Sequence, residues 1–168
     1  MCGRYALYGP QSRLREAFLL EFCPEYFARY NIAPQSRVLI IRHKPDTGRV
    51  GQLVRWELIP SWAKDPGSFF AFAGLLAAWK APDGATIVTT CIITTAANDL
   101  MAPIHDRMPA ILRPEQYDAW LDPENKDNES LQTMIGPCGS ELISARKVST
   151  AINRGAIDEP VCIEPLTV

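Results

Sequence analysis

The sequence predicts an α+β fold, a curved antiparallel β-sheet with peripheral helices, on three observations. Short runs of β-branched or alternating apolar residues recur along the chain, such as Arg37-Val38-Leu39-Ile40-Ile41-Arg42 and the alternation of Val54, Trp56 and Leu58. Turn signals separate these runs, among them Asp46-Thr47-Gly48 and Pro82-Asp83-Gly84. Stretches with helical spacing are few and short, so helices flank the sheet rather than alternate with its strands. With 168 residues the chain is expected to form one domain, residues 1–168.

Residues 3–8 read as a first strand. Pro10 opens a helix to about Phe22 that places Leu14, Phe18 and Phe22 on one face, and Pro24 ends it. Residues 37–42 form a strand. The Asp46-Thr47-Gly48 turn returns the chain through Val54 and Trp56, with Trp56 expected in the core, and Pro60 stops that strand. Residues 69–79 read as one apolar strand and residues 85–95 as its long return. A helical turn is expected over 96–101, a proline-bounded loop over 103–109 and a strand over 108–112. Pro114 starts a helix through Trp120-Leu121, with its fixed dihedral at the first helical position. Residues 125–130 form a polar linker and 131–135 a short helix. The last third is loop-rich, with strands expected near 146–149 and 161–166. No repeat or low-complexity tract interrupts the pattern.

Hydrophobic residues make up 47% of the chain and charged residues 21%, enough to bury a core without staples. The five cysteines, Cys2, Cys23, Cys91, Cys138 and Cys162, are odd in number and lack C-x-x-C spacing. Reduced thiols and a cytoplasmic location follow as the expectation. No apolar run reaches the length of a membrane span, and no signal-peptide core follows Met1. No metal-ligand spacing, phosphate-binding glycine loop or G-x-S-x-G is present, so no cofactor or metal is expected. The net charge of -2 argues against a general polyanion binder. Its distribution is uneven: residues 1–56 hold nine Lys/Arg against four Asp/Glu, and residues 57–168 hold eight against fifteen. A basic N-terminal third can face phosphate, although uneven surface charge without function is an equal reading.

Cys2 carries the most specific chemistry. Removal of Met1 would expose an α-amine and a thiol on adjacent carbons, both with a reactive fraction at neutral pH. The amine can attack an aldehyde to give an imine, and the thiol can close on the imine carbon as a five-membered thiazolidine. Taken alone, Cys2 is more simply a small residue tolerated after methionine. His105 lies in Pro103-Ile104-His105-Asp106-Arg107-Met108-Pro109, between an acid and a guanidinium in a proline-braced loop. That is the setting of a proton shuttle; taken alone, it is more simply a loop histidine satisfied by Asp106. His43, between Arg42 and Lys44, reads as solvated. Trp62, after the stop at Pro60, is the exposed aromatic that could stack on an unpaired base.

Six motifs occur in one order: Met1-Cys2-Gly3-Arg4-Tyr5, Arg29-Tyr30-Asn31-Ile32-Ala33-Pro34, Trp56-Glu57-Leu58-Ile59-Pro60-Ser61-Trp62-Ala63, Phe70-Ala71-Phe72-Ala73-Gly74-Leu75, Ile93-Thr94-Thr95-Ala96-Ala97-Asn98 and Ile104-His105-Asp106-Arg107-Met108-Pro109. Val148-Ser149 with Ile152-Asn153 adds a weaker match. Together they resemble the SRAP family of SOS-response-associated, abasic-site processing proteins over most of the chain. The resemblance implies an SRAP-like curved sheet or barrel, and capture of abasic sites in single-stranded DNA through the N-terminal cysteine. Carried over, Cys2 is the nucleophile, His105 assists acid–base steps, Arg4 and Arg107 hold phosphates, and Asn31, Pro34, Trp62 and Thr94 line the DNA groove. The expected partner is single-stranded DNA containing an abasic site, with no membrane and a monomeric protein.

Two features depart from the family pattern. Glu57 stands where the family has a glycine. Between Pro66 and Phe69 the chain lacks an internal segment that in the family carries an active-site asparagine and glutamate, and several strands would go with it. Two other readings therefore stand beside DNA capture: a thiol autopeptidase or peptidase built on a Cys–His pair, and a degenerate member that binds without chemistry.

Overall fold

The computed structural model describes residues 4–33, 36–56 and 69–166, with the side chains of Arg55 and Trp56 excluded. The expectations for Cys2, Pro34, Trp62 and the Trp56 side chain, and the junction at 66–68, lie outside the described residues.

Strand β1 (Tyr5–Leu7) pairs antiparallel with β2 (Arg29–Ile32), with Tyr5 opposite Ile32. Between them runs helix α1 (Gln11–Phe18). It is shorter than its apolar spacing suggests, because Leu19 turns left-handed and its N–H closes on the Arg15 and Glu16 carbonyls. Leu14 and Phe18 are buried as expected, whereas Phe22, beyond the break, is 56% exposed.

The central sheet has the order β3-β4-β7-β6. Strands β3 (Arg37–Lys44) and β4 (Gly48–Trp56) form the expected hairpin, with Gly48 at positive φ closing the turn. Strands β6 (Gly74–Lys80) and β7 (Thr86–Ile92) form a second hairpin around Pro82-Asp83-Gly84. The hairpins join through a short parallel contact, Arg55 and Trp56 against Thr89 and Thr90, so the sheet is mixed rather than wholly antiparallel.

The two long strands expected over 69–79 and 85–95 are each broken once. Strand β5 (Ala71–Phe72) pairs with β10 (Ile111–Leu112), and β8 (Thr94–Ala96) pairs with β9 (Arg107–Pro109). The breaks meet at one junction: Ala73 donates to the Ala110 carbonyl, Ala110 to Ile93, and Ile93 to Ala73, at 2.9–3.0 Å. Ala73 and Ala110 are fully buried there, and small side chains let three strands change partner at one point.

A 3₁₀ turn (Pro114–Gln116) leads into α2 (Tyr117–Leu121), and α3 (Asn128–Met134) begins three residues before the expected helix. Its cap explains the difference: the Asp127 carboxylate accepts the Ser130 N–H, turning the polar linker into the first turn. The strands expected near 146–149 and 161–166 reduce to one bridge, Val148 to Pro165, beside 3₁₀ turns at Thr150–Asn153 and Pro160–Cys162.

Alternation along β3 divides the core. Leu39 and Ile41 pack toward Leu14, Phe18, Leu20, Leu112 and Tyr117, while Val38 and Ile40 face Ile32, Val54, Phe72 and Val88. A third cluster, Met101, Met108 and Ile143, lies under the loop that carries His105.

Candidate functional site

The His105 loop is set by Asn98. Its side-chain oxygen accepts the Met101 N–H, its amide donates to the Cys138 carbonyl, and its backbone carbonyl accepts the Met101 and Ala102 N–H groups. The turn that results ends with the Ile104 and His105 N–H groups on the Met101 carbonyl. Met101 and Met108 anchor it from below at 5% and 1% exposure, so the imidazole stands on a packed base while remaining 41% exposed.

Within the loop, His105 Nδ1 lies 2.9 Å from the Arg107 N–H and 2.8 Å from Asp106 Oδ1. These contacts belong to different protonation states. An unprotonated Nδ1 accepts from Arg107; a protonated one donates to the Asp106 carboxylate. The loop thus offers Nδ1 both a donor and an acceptor. Arg107 Nη2 donates to the Thr94 carbonyl at 2.6 Å and its hydroxyl at 2.8 Å, bracing an exposed guanidinium across the β8–β9 pair. Thr94, His105 and Arg107 therefore form one group.

Arg4, which immediately precedes β1, and Asn31 of β2 meet the same C-terminal turn. Arg4 Nη1 is buried with no hydrogen-bond partner among the described residues, and its guanidinium packs over Gly155. Asn31 is 2% exposed, and its amide donates to the Arg154 and Ile157 carbonyls at 3.2 and 2.6 Å. The side chain expected in a DNA groove is thus engaged with the C-terminal turn. Asp158 completes that contact: one carboxylate oxygen pairs with Arg29 Nε, and the other accepts the Tyr30 and Asn31 N–H groups at 2.6 and 2.8 Å. Burial works to raise the Asp158 pKa, but the hydrogen bonds from Arg29, Tyr30 and Asn31 and the Arg29 charge together hold it below the usual value. Burial pushes the Tyr5 phenol up, against the opposing Arg29 charge, so it stays protonated.

A cavity of about 1240 Å³ brings Arg4 and Ile104, the neighbour of His105, into one lining, together with Arg42 and Arg146. Asn31, Thr94, His105 and Arg107 do not line it. Cys138, the half-buried thiol nearest the His105 loop anchor, has its pKa raised chiefly by burial, which makes it a poor nucleophile. Among the described residues no group of three His, Cys, Asp or Glu side chains could hold a metal ion, and no helix is long and apolar enough to cross a membrane.

Sequence reasoning quoted Asn98 only as the end of a motif, without a role, and missed Asp158. Asn98 left a local signal, a polar residue at the end of an apolar strand where a turn must start. Asp158 left none, because its partners lie about 127 residues away in sequence.

The family model for SOS response associated peptidase (SRAP) matches residues 1–69 and 65–155. Abasic site processing protein YoqW of Bacillus subtilis is 31% identical over 223 positions, covering 98% of this chain and 99% of the relative. About 165 residues of this chain are spread over those 223 positions, so roughly 58 positions lack a counterpart here. The two family-model matches meet at residues 65–69, where the sequence departs from the family pattern. Abasic site processing protein HMCES of Gallus gallus is 35% identical over 96 residues, covering 56% of this chain and 28% of the relative. A crystal structure of a protein from Bordetella bronchiseptica superposes with a TM-score of 0.63 at 16% identity, covering 85% of this chain and 97% of that one. A family-model match over most of the chain, with YoqW aligned across nearly all of it, places this protein in the SRAP family.

Proposed function

We propose that this protein recognises abasic sites in single-stranded DNA and captures them covalently through Cys2. The observation that carries the proposal is Arg4 Nη1, a buried guanidinium nitrogen two residues after Cys2 that has no hydrogen-bond partner among the described residues. A buried, charged donor left unpaired is costly, and an anion beside it removes the cost. A DNA phosphate is such an anion, and it would place the adjoining sugar near the start of the chain. The relatives YoqW and HMCES are named for abasic-site processing, which agrees with this reading.

The chemistry follows from the aminothiol. With Met1 removed, the Cys2 α-amine adds to the aldehyde carbon of the ring-opened sugar, and loss of one water gives an imine. The Cys2 thiolate adds to the imine carbon, and the nitrogen takes up a proton. The thiazolidine that forms contains all atoms of both partners less one water. His105 serves these proton transfers as acid and base, its two states held by Asp106 and the Arg107 N–H. Arg107, braced by Thr94, contacts a further phosphate.

Denaturing gel electrophoresis tests the reading. Protein incubated with a single strand bearing one abasic site should remain attached after boiling, and protein incubated with the intact strand should not. Complete release from the abasic strand would refute covalent capture and leave a binding protein or a peptidase.

A further inference from the structure

We propose that Asp158 is a positioning residue that sets the Arg4 guanidinium for phosphate by clamping the turn at 154–158 onto β2. The inference rests on the reading of Arg4 as a phosphate contact. Three observations lead to it. The Asp158 carboxylate fastens the turn to Arg29 and to two consecutive backbone N–H groups of β2. Asn31 fastens the same turn from the other side, through the Arg154 and Ile157 carbonyls. Inside that double clamp sits Gly155, where a Cβ would lie 3.4 Å from Arg4 Nη2 and 3.7 Å from Nη1.

The turn is therefore the wall against which the guanidinium packs. Arg4 continues β1, and β1 is in register with the strand Asp158 holds, Tyr5 opposite Ile32. One carboxylate thus holds both the strand paired with β1, which Arg4 immediately precedes, and the surface beneath the Arg4 head group. Released from the turn, the long arginine side chain regains its rotamer freedom, and phosphate binding must then order it again. Asp158 touches no DNA in this arrangement; it acts through Arg4. The lowered Asp158 pKa keeps the carboxylate ionised, and the clamp closed, at neutral pH.

The test is a double-mutant cycle on the complete chain, read by binding of a fluorescent oligothymidylate without a lesion over a range of salt. Asp158→Ala should weaken binding roughly tenfold, the scale of one charge-assisted contact. It should also flatten the dependence of log K on log salt by about 0.7, the value for one phosphate on a single strand. Arg4→Ala should do the same, and the double variant should lose no more than Arg4→Ala alone. Arg107→Ala, in the other group, should add its loss to that of Asp158→Ala. If Asp158→Ala fails to fold, Asp158→Asn takes its place in the cycle, since it keeps one acceptor for the β2 amides. Losses from Arg4→Ala and Asp158→Ala that simply add, or an Asp158 variant with unchanged affinity and slope, would overturn the proposal. Wild-type protein that binds the oligothymidylate but captures no abasic strand refutes the capture chemistry and leaves the cycle to decide the clamp. Wild-type protein with no salt-dependent binding overturns both.

Discussion

His105 is where the chemistry of single residues can be separated from binding. Its Nδ1 lies within hydrogen-bond distance of both the Arg107 N–H and the Asp106 carboxylate, while its backbone is held by the Asn98 turn and by Met101 and Met108 below. His105→Ala should therefore slow capture by about 10²–10⁴-fold, the usual share of an acid–base group, with affinity for intact single strands nearly unchanged. Rates on saturating DNA, measured by quenched time courses, check this; a collapse in affinity at an unchanged rate would assign the imidazole a structural role. Asp158 gives a prediction in stability. A carboxylate whose folded pKa is lowered stabilises the fold above its unfolded value, about 3.9, and that contribution is lost as pH falls through the folded value. Asp158→Asn should lower the melting temperature at pH 7. The difference from wild type should shrink in melts run progressively below pH 4.

At the scale of elements, the junction of Ala73, Ile93 and Ala110 decides which expectations held. Alternation and turn residues located β3 and β4, whose hairpin contributes Val38, Val50 and Val54 to the core, and the Gly-containing turn at Pro82-Asp83-Gly84 located the hairpin of β6 and β7, which stays largely exposed. The breaks in the strands at 69–79 and 85–95 were not legible. A strand that changes partners keeps its apolar pattern on both sides of the change, and what breaks it is a hydrogen bond to a residue far along the chain. Phe22 was misplaced for a related reason: helical spacing continues past Leu19, but the left-handed turn there ends the helix. The site was legible in part. Thr94, His105 and Arg107 gather as the motif order implies, whereas the closure of the C-terminal turn over Asn31 rests on contacts 123 to 128 residues apart. Gly74 marks the junction in sequence, since a Cβ there would sit 2.9 Å from the Cys91 carbonyl oxygen. Gly74→Ala should destabilise the protein by roughly 1–3 kcal/mol through overpacking, as read by urea unfolding. An unchanged midpoint would show that the β6–β7 pair can shift without cost.

For the whole molecule, the internal segment missing relative to YoqW is the main departure from the family. The two family-model matches, residues 1–69 and 65–155, meet where that segment is absent. The exposed apolar side chains of β6 and β7, Leu75, Trp79 and Ile87, lie at 59%, 57% and 42% exposure, on a hairpin whose outer strand is a sheet edge among the described residues. The central claim, capture of an abasic site by the Cys2 aminothiol, is tested most directly by intact-mass spectrometry of protein incubated with an abasic single strand. The predicted product has the mass of the protein lacking Met1 plus that of the oligonucleotide, less one water, and Cys2→Ala gives none. The same adduct from the Cys2→Ala variant, or an adduct that retains Met1, would contradict it.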